Sequence, residues 1–364
     1  MAPTYRAAVI GCSRMGGFID FEVMGDPNIV LPYSHAAGYA ACPRTDLVAC
    51  ADPRPDREVV ARFGELYGIP PERQYADYRE MLAVEKPDIV SIATQPEPRA
   101  EIAITCAEQG VKAIYAEKAM AASLAEARAM VEACERHSVV LNLGTNRRWD
   151  SGYDAMKALI DSGKLGRLQS LIIYHTGTLF NTGSHYFDLA LRLNSDQPVA
   201  WVQASLVNAA GMFEGDLLRD DPLGQGVVQF ANGVTLYALQ TARGHEHEAV
   251  CEGGTVSSLN NGREWRVRKK GALDAEGKRL GLVEGEFPGY EPASSTLRLI
   301  EDLVAALDSG QPGRGGAQVA YASTELVFAF IESHRRGGAR VETPLRDATV
   351  RLQRQVAPRQ PRLG

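Results

Sequence analysis

The feature that most constrains the fold is a turn near the start of the chain. Residues 6–10 form a short apolar run that ends in Gly11, and the series Gly11-Cys12-Ser13-Arg14-Met15-Gly16-Gly17 follows. An apolar run, a tight glycine turn and a helix start open a βαβ unit. The rhythm recurs. Apolar runs at 47–51, 88–93, 111–116 and 139–143 end in Asp52, in Thr94-Gln95-Pro96, in Glu117-Lys118 and in Gly144-Thr145-Asn146. Helix-like stretches fall at 56–67, 78–83, 99–109 and 123–137; in the last, Leu124, Ala127, Met130, Val131 and Cys134 keep the helical period and Ser123 with Glu126 makes a capping box. Strands alternating with helices imply a doubly wound parallel sheet.

After residue 145 the rhythm changes. A helix at 151–162 and a turn at 163–166 lead into β-rich runs at 168–176, 199–207, 226–230, 235–241 and 247–252, with hairpin signals at Asn232-Gly233 and Asn261-Gly262. The expected organisation is α/β: a Rossmann domain over 1–145, then an α+β domain over 146–364 with an open, largely antiparallel sheet for substrate binding and oligomerisation. One face of such a sheet needs a cover, either the helices at 294–309 and 318–335 or a second copy of the chain. The basic run 266–270 reads as a solvated hairpin and 351–364 as a frayed tail.

Length and charge agree with two domains and narrow the partners. The 364 residues carry 39 Lys+Arg against 45 Asp+Glu, a net charge of −6, so no basic field draws nucleic acid or anionic lipid. No apolar run approaches the roughly 20 residues of a membrane-spanning helix, and residues 1–11 lack the apolar stretch of a signal peptide. The six cysteines show no CxxC pair, as expected of free thiols in the cytoplasm, and no zinc site is written.

The glycine turn reads Gly11-x-Ser13-x-x-Gly16, with serine at the second glycine position of GxGxxG. Such a turn either brings backbone N–H groups to a pyrophosphate at a helix start or is a glycine turn with no ligand. Asp52 favours the first, since a carboxylate ending the second strand binds ribose hydroxyls and selects NAD. It lies 36 positions after Gly16 rather than the usual ~20. The extra residues 18–34, with Phe18, Phe21, Met24, Pro27, Pro32 and Tyr33, form either a lid at the substrate wall or a surface elaboration. Arg54 and Arg57 would suit a 2′-phosphate and leave NADP open.

Taken in order, these motifs resemble the Gfo/Idh/MocA family of nicotinamide-dependent sugar and polyol oxidoreductases over residues 6–342. The resemblance rests on the glycine turn, Ala51-Asp52-Pro53, Thr94-Gln95-Pro96, Ala116-Glu117-Lys118-Ala119-Met120, Asn146-Arg147-Arg148-Trp149, Ile160 to Gly166, and Gly177 through His185-Tyr186-Phe187-Asp188. It implies cofactor contacts from Gly11, Ser13, Arg14, Met15, Gly16, Asp52, Arg54, Thr94, Gln95, Pro96, Glu117 and Lys118. It implies Lys118, His185 and Asn181 as catalytic, with Arg148, Trp149, Asn181 and His185 on the substrate and the Trp149 indole stacked on a sugar ring. Two positions depart from the family pattern. Ala119 replaces the proline of Glu-Lys-Pro, and because a Lys-Ala cis bond costs ~2.5–4 kcal/mol a trans bond is expected. Asn181 replaces an aspartate four residues before the histidine, which removes a carboxylate that would raise its pKa.

Other candidates are weaker. His245-Glu246-His247 puts two imidazoles on one strand face with no third metal ligand in view. Ser13 lacks the following glycine of a GxSxG nucleophile elbow. The implied activity is hydride transfer between a secondary alcohol of a sugar, polyol or glycoside and NAD, without metal, by a homodimer or homotetramer. Two alternatives stay open: redox-assisted glycoside cleavage with no net use of NAD, and a non-catalytic nucleotide-binding protein.

Overall fold

The computed structural model describes residues 3–54, 57–278, 281–354 and 360–363. The chain forms two compact units, one of residues 1–149, 293–324 and 351–364, the other of 150–292 and 325–350.

The first unit is built on a parallel six-stranded sheet ordered β3-β2-β1-β4-β5-β6, with β1 Tyr5–Ile10, β2 Thr45–Ala51, β3 Gln74–Tyr75, β4 Ile89–Ile92, β5 Ala113–Ala116 and β6 Val140–Leu143. Helices α1 Ile19–Val23, α2 His35–Ala41, α3 Glu58–Tyr67, α4 Tyr78–Glu85, α5 Pro96–Glu108 and α6 Leu124–Arg136 alternate with or flank these strands. Asp56, read as the start of α3, lies outside the described residues. Strand order reverses between β1 and β4, the switch point at which doubly wound sheets bind ligands. The register aligns the strand ends: Ile10 pairs with Ala51 and Ile92, Ile92 with Ala116, and Ala116 with Leu143. Gly11, Asp52, Glu117 and Gly144 therefore leave the sheet along one edge.

The second unit begins with α7, Ser151–Asp161, and holds α8, Ser184–Leu193. Its nine-stranded sheet contains β7 Leu168–His175, β8 Val199–Val207, β11 Leu223–Phe230, β12 Thr235–Gln240, β13 Glu246–Cys251, β14 Gly254–Leu259, β15 Glu264–Lys270, β16 Leu282–Gly285 and β17 Val341–Glu342; β9 Phe213–Glu214 and β10 Leu217–Leu218 pair separately. All neighbours in the large sheet are antiparallel except β7 and β12. The expected hairpins are present: Gly233, at φ +90°, turns β11 into β12, and Asn261 with Gly262, at φ 60° and +92°, turns β14 into β15. The basic run sits in β15, paired on both sides.

Three expectations change. Of the helices offered as a cover for the open sheet, α9 (Ser295–Ser309) belongs to the first unit, where Leu299, Ile300, Leu303 and Val304 join the core of Val9, Tyr39, Phe63 and Tyr115. In α10 (Ala317–Arg335), Phe328 and Phe330 do pack on Phe180 and Phe187 of the second unit. The capping box is half made. Ser123 Oγ accepts the Glu126 N–H at 3.2 Å, but the Glu126 carboxylate takes the Arg351 guanidinium at 3.0 Å. The same ion pair, with Leu352 N–H to the Ala122 carbonyl at 2.8 Å, ties down the beginning of the expected frayed tail; residues 355–359 and 364 lie outside the described residues.

Candidate functional site

Along the strand edge of the first unit, Gly11 opens the turn at φ +98°, a conformation glycine adopts freely. A side chain on it would meet the Ala93 carbonyl at 3.0 Å, and one on Gly16 would lie 1.9 Å from the Gly11 oxygen. The turn closes only around glycines, which leaves its backbone open to close approach by a ligand. Ser13 accepts the Gly17 N–H through its carbonyl at 2.9 Å, and a five-residue π-helical turn, Arg14–Phe18, follows with Met15 inside it. Asp52 faces this turn: Oδ2 accepts the Cys12 N–H at 2.9 Å and Oδ1 accepts Arg54 Nε at 2.9 Å. Arg57 gives its guanidinium to the Asp52 and Gln74 carbonyls at 2.8 and 3.0 Å, so it is committed to main chain rather than to a phosphate.

The extra segment 18–34 is partly core and partly surface. Phe18 and Ile19 are buried, while Met24 is 66% exposed. Its acids are spent within the unit. Glu22 holds Arg14 at 2.7 Å, and the Asp20 carboxylate accepts the N–H groups of Tyr33 and Ser34 at 2.9 and 2.8 Å. Ser34 caps α2, so His35 starts that helix with a fixed side chain.

The loops after β4 and β5 carry Thr94-Gln95-Pro96 and Glu117-Lys118-Ala119. Pro96 opens α5 at a position where its missing N–H costs nothing, and Gln95 accepts from Arg354. Glu117 is buried. His35 Nε2 lies 3.1 Å from its Oε1, and the Lys118 N–H donates to Oε2 at 3.2 Å. Burial alone would raise the Glu117 carboxyl; the His35 hydrogen bond and the charges of His35, Lys118 and Arg99 outweigh it and hold the group below the ordinary glutamate range. The Lys118–Ala119 peptide bond is cis, against the trans bond expected from the residue types. Tertiary surroundings override local preference here: residues 119–123 are buried, and the Ala119 carbonyl accepts from Arg99.

In the second unit, Asn181 is exposed and lies in the turn Leu179–Gly183, ahead of His185 in the first turn of α8. The turn is organised by a residue the sequence did not single out. Asp221 accepts Thr178 Oγ1 at 2.6 Å, the Phe180 N–H at 2.8 Å and the Asn181 N–H at 2.9 Å. His245 and His247 are bonded to Tyr186 and Tyr153 hydroxyls, the latter pair at 3.1 Å. Burial holds the nearby His175 imidazole below its ordinary range. Among the described residues no group of three or more His, Cys, Asp or Glu could hold a metal ion.

Arg148 and Trp149 are not a wall for a sugar ring. Both are 1% exposed in the first unit; Arg148 donates to the Arg314 carbonyl at 3.3 Å, and the indole packs into the core with Leu299 and Leu303. The short helical turn Asn146–Trp149 pulls the apolar ring inward, a placement set by α9, whose sequence lies about 150 residues away.

Such an edge, with its glycine turn, its acid ending β2 and its switch point, defines a dinucleotide-binding protein of Rossmann type. Known proteins share the frame. Residues 21–145 match the family described as an oxidoreductase family with an NAD-binding Rossmann fold. Over 359 residues the chain is 33% identical to D-apiose dehydrogenase of Paraburkholderia graminis, covering 92% of this chain and 88% of that protein. The chain belongs to the Gfo/Idh/MocA family of oxidoreductases, and NAD is its cofactor. Its fold is also that of a levoglucosan dehydrogenase solved with NADH and L-sorbose (TM-score 0.73, 22% identity, 94% of this chain and 99% of that one). An inositol dehydrogenase homologue from Azotobacter vinelandii, solved with NADH and myo-inositol, shares it too (TM-score 0.72, 16% identity, 94% and 98%).

Proposed function

We propose that this protein oxidises a secondary alcohol of a sugar, polyol or glycoside, or reduces the matching ketone. A pattern of exposure carries the assignment of its chemistry. Lys118 is the one residue of 113–124 that is not buried, and His185 the one of 183–191. In each run the residue that bears a reactive head is the partly exposed one while its neighbours pack.

NAD, when bound, supplies the hydride acceptor. The glycine turn and Asp52 hold it, with Arg14, Met15, Arg54, Thr94, Gln95, Pro96 and Glu117 along the same edge. His185 takes the hydroxyl proton on an imidazole nitrogen during oxidation and returns it during reduction. Lys118 donates a hydrogen bond to the reacting oxygen and stabilises the negative charge that develops there. Asn181 binds a neighbouring hydroxyl. Nucleotide binding falls to the first unit, and substrate binding with oligomerisation to the second. The D-apiose dehydrogenase relative supports a carbohydrate substrate. Arg57, committed to carbonyls, supports NAD over NADP.

Alternation along β12 leaves Tyr237 and Leu239 41% and 36% exposed, which supports a homodimer or homotetramer joined through the open sheet. Six buried free cysteines suit the cytoplasm. No helix among the described residues is long and apolar enough to cross a membrane.

The test is single-turnover absorbance with NAD against inositols, free sugars and glycosides, with products identified by mass spectrometry. A ketone matched by reduced nicotinamide is expected, with the signal lost in Lys118→Ala and His185→Ala. Asn181→Asp should move the pH limb for oxidation upward by stabilising the imidazolium, with KM little changed. Wild-type hydride transfer in both alanine variants would overturn the mechanism, and a released aglycone without net reduced cofactor would overturn the reaction class.

A further inference from the structure

Lys118 is flanked by two residues that are each gripped by a side chain from elsewhere in the same unit. On one side stands buried Glu117, bonded to His35 and to the Lys118 N–H. His35 is itself immobilised: Nδ1 lies 2.8 Å from Ser91 Oγ, that oxygen lies 2.9 Å from the Tyr39 hydroxyl, and the ring stacks on Tyr115 at 3.7 Å and 16°. All five groups are buried. On the other side, the Ala119 carbonyl accepts from Arg99 Nη1, while Nη2 of the same guanidinium donates to the Thr94 carbonyl. Arg99 thus bridges the loops after β4 and β5.

A lysine head sits on a flexible four-carbon stem, so the direction of its Cα–Cβ bond decides where the ammonium can reach. The family's proline would stiffen this tripeptide through its ring. Here Ala119 has no ring, and two buried side chains hold the peptide instead. Arg99 makes these bonds at a desolvation cost, since burial pushes the guanidinium down to about 10, and its hydrogen bonds go to two carbonyls rather than to a carboxylate.

We propose that His35 and Arg99 are positioning residues for hydride transfer, clamping the main chain on either side of Lys118 so that its ammonium is aimed at the reacting oxygen. The proposal rests on the reading that Lys118 acts in the reaction. It predicts a signature that loss of packing alone would not give. The titratable groups facing Glu117 are His35 on α2, Arg99 on α5, Tyr115 on β5, Tyr33 from the extra segment, and Lys118 itself. Without His35 the Glu117 carboxyl titrates higher, and its protonation joins that of His185 so that the acid limb of the kcat profile moves up in pH.

The experiment compares full-length wild type, Lys118→Ala, His35→Ala, His35→Gln, Arg99→Ala and Arg99→Lys, measuring kcat, its pH profile and NAD affinity with the substrate found by the panel. The expected result is a kcat loss on the order of 10- to 100-fold in His35→Ala and Arg99→Ala, as for a misaimed catalytic group. NAD affinity should fall far less than kcat, since the glycine turn and Asp52 are untouched. The acid limb should rise in His35→Ala only, and His35→Gln, whose amide nitrogen replaces Nε2, should recover most of the rate and the normal limb. Full activity in Lys118→Ala would defeat the functional reading itself. Loss in Lys118→Ala with wild-type kcat in the His35 and Arg99 variants would overturn the clamp alone. Equal loss of kcat and NAD affinity with an unmoved pH limb would reduce both residues to packing and also overturn it. If Arg99→Ala does not fold, Arg99→Lys decides its share. An ammonium is a point donor that cannot reproduce the guanidinium's fork to both carbonyls, so a lowered kcat is expected and a wild-type kcat refutes that arm.

Discussion

Asp52 shows how much one side chain does at this site. Its carboxylate closes the glycine turn through Cys12, and on the proposed function it binds the cofactor ribose, so Asp52→Ala should weaken NAD binding by roughly 10- to 100-fold, the worth of charge-assisted hydrogen bonds. Preference for NAD over NADP should narrow at the same time, and titration of both nucleotides by fluorescence checks the two effects. Glu117 makes a second prediction, of stability. Its folded pKa lies below the unfolded value of 4.5, so between the two values the unfolded chain binds the extra proton. The contribution is fully present above that unfolded value and fades as pH falls through the folded one. Glu117→Gln should therefore show a shallower loss of urea midpoint below pH 4.5 than wild type. Asp52, Lys118 and His185 were open to proposal from the sequence because each stands in a local motif. His35, Arg99 and Asp221 were not, since their partners lie at positions such as Glu117, Ala119 and Phe180, up to 82 residues distant.

Among elements, α6 carries the clearest local instruction. Ser123 caps it as expected, and Ser123→Ala should cost about 1 kcal/mol, read as a lowered denaturant midpoint without change in slope. The strands of the first sheet and the hairpins at Asn232-Gly233 and Asn261-Gly262 could be read from apolar runs and turn chemistry. Helix α2 could not, because His35–Ala41 follows the extra segment and is rich in small residues that give no apolar stripe. The destination of α9 was equally hidden: an amphipathic helix announces that it will bury one face, not against which sheet. Trp149 follows from the same gap, for an aromatic beside a motif reads as a binding surface until the helix that covers it is known.

For the whole molecule, the exposed rows of the open sheet carry the prediction about assembly. Tyr237→Glu with Leu239→Glu should convert the expected dimer or tetramer into monomers by light scattering, and a wild-type particle that is already monomeric at every concentration would remove the interface. The make-up of the first unit bears on how the chain becomes active. Its core takes Val9 and Tyr39 from the start of the chain and Leu299, Ile300 and Leu303 from far down it. During synthesis at roughly 5–20 residues per second, the nucleotide-binding edge is encoded within the opening segment, yet it lacks α9 for many seconds. The nascent protein thus carries an apolar groove waiting for its own later helix, and a ribosome that stalls before residue 295 leaves that groove bare.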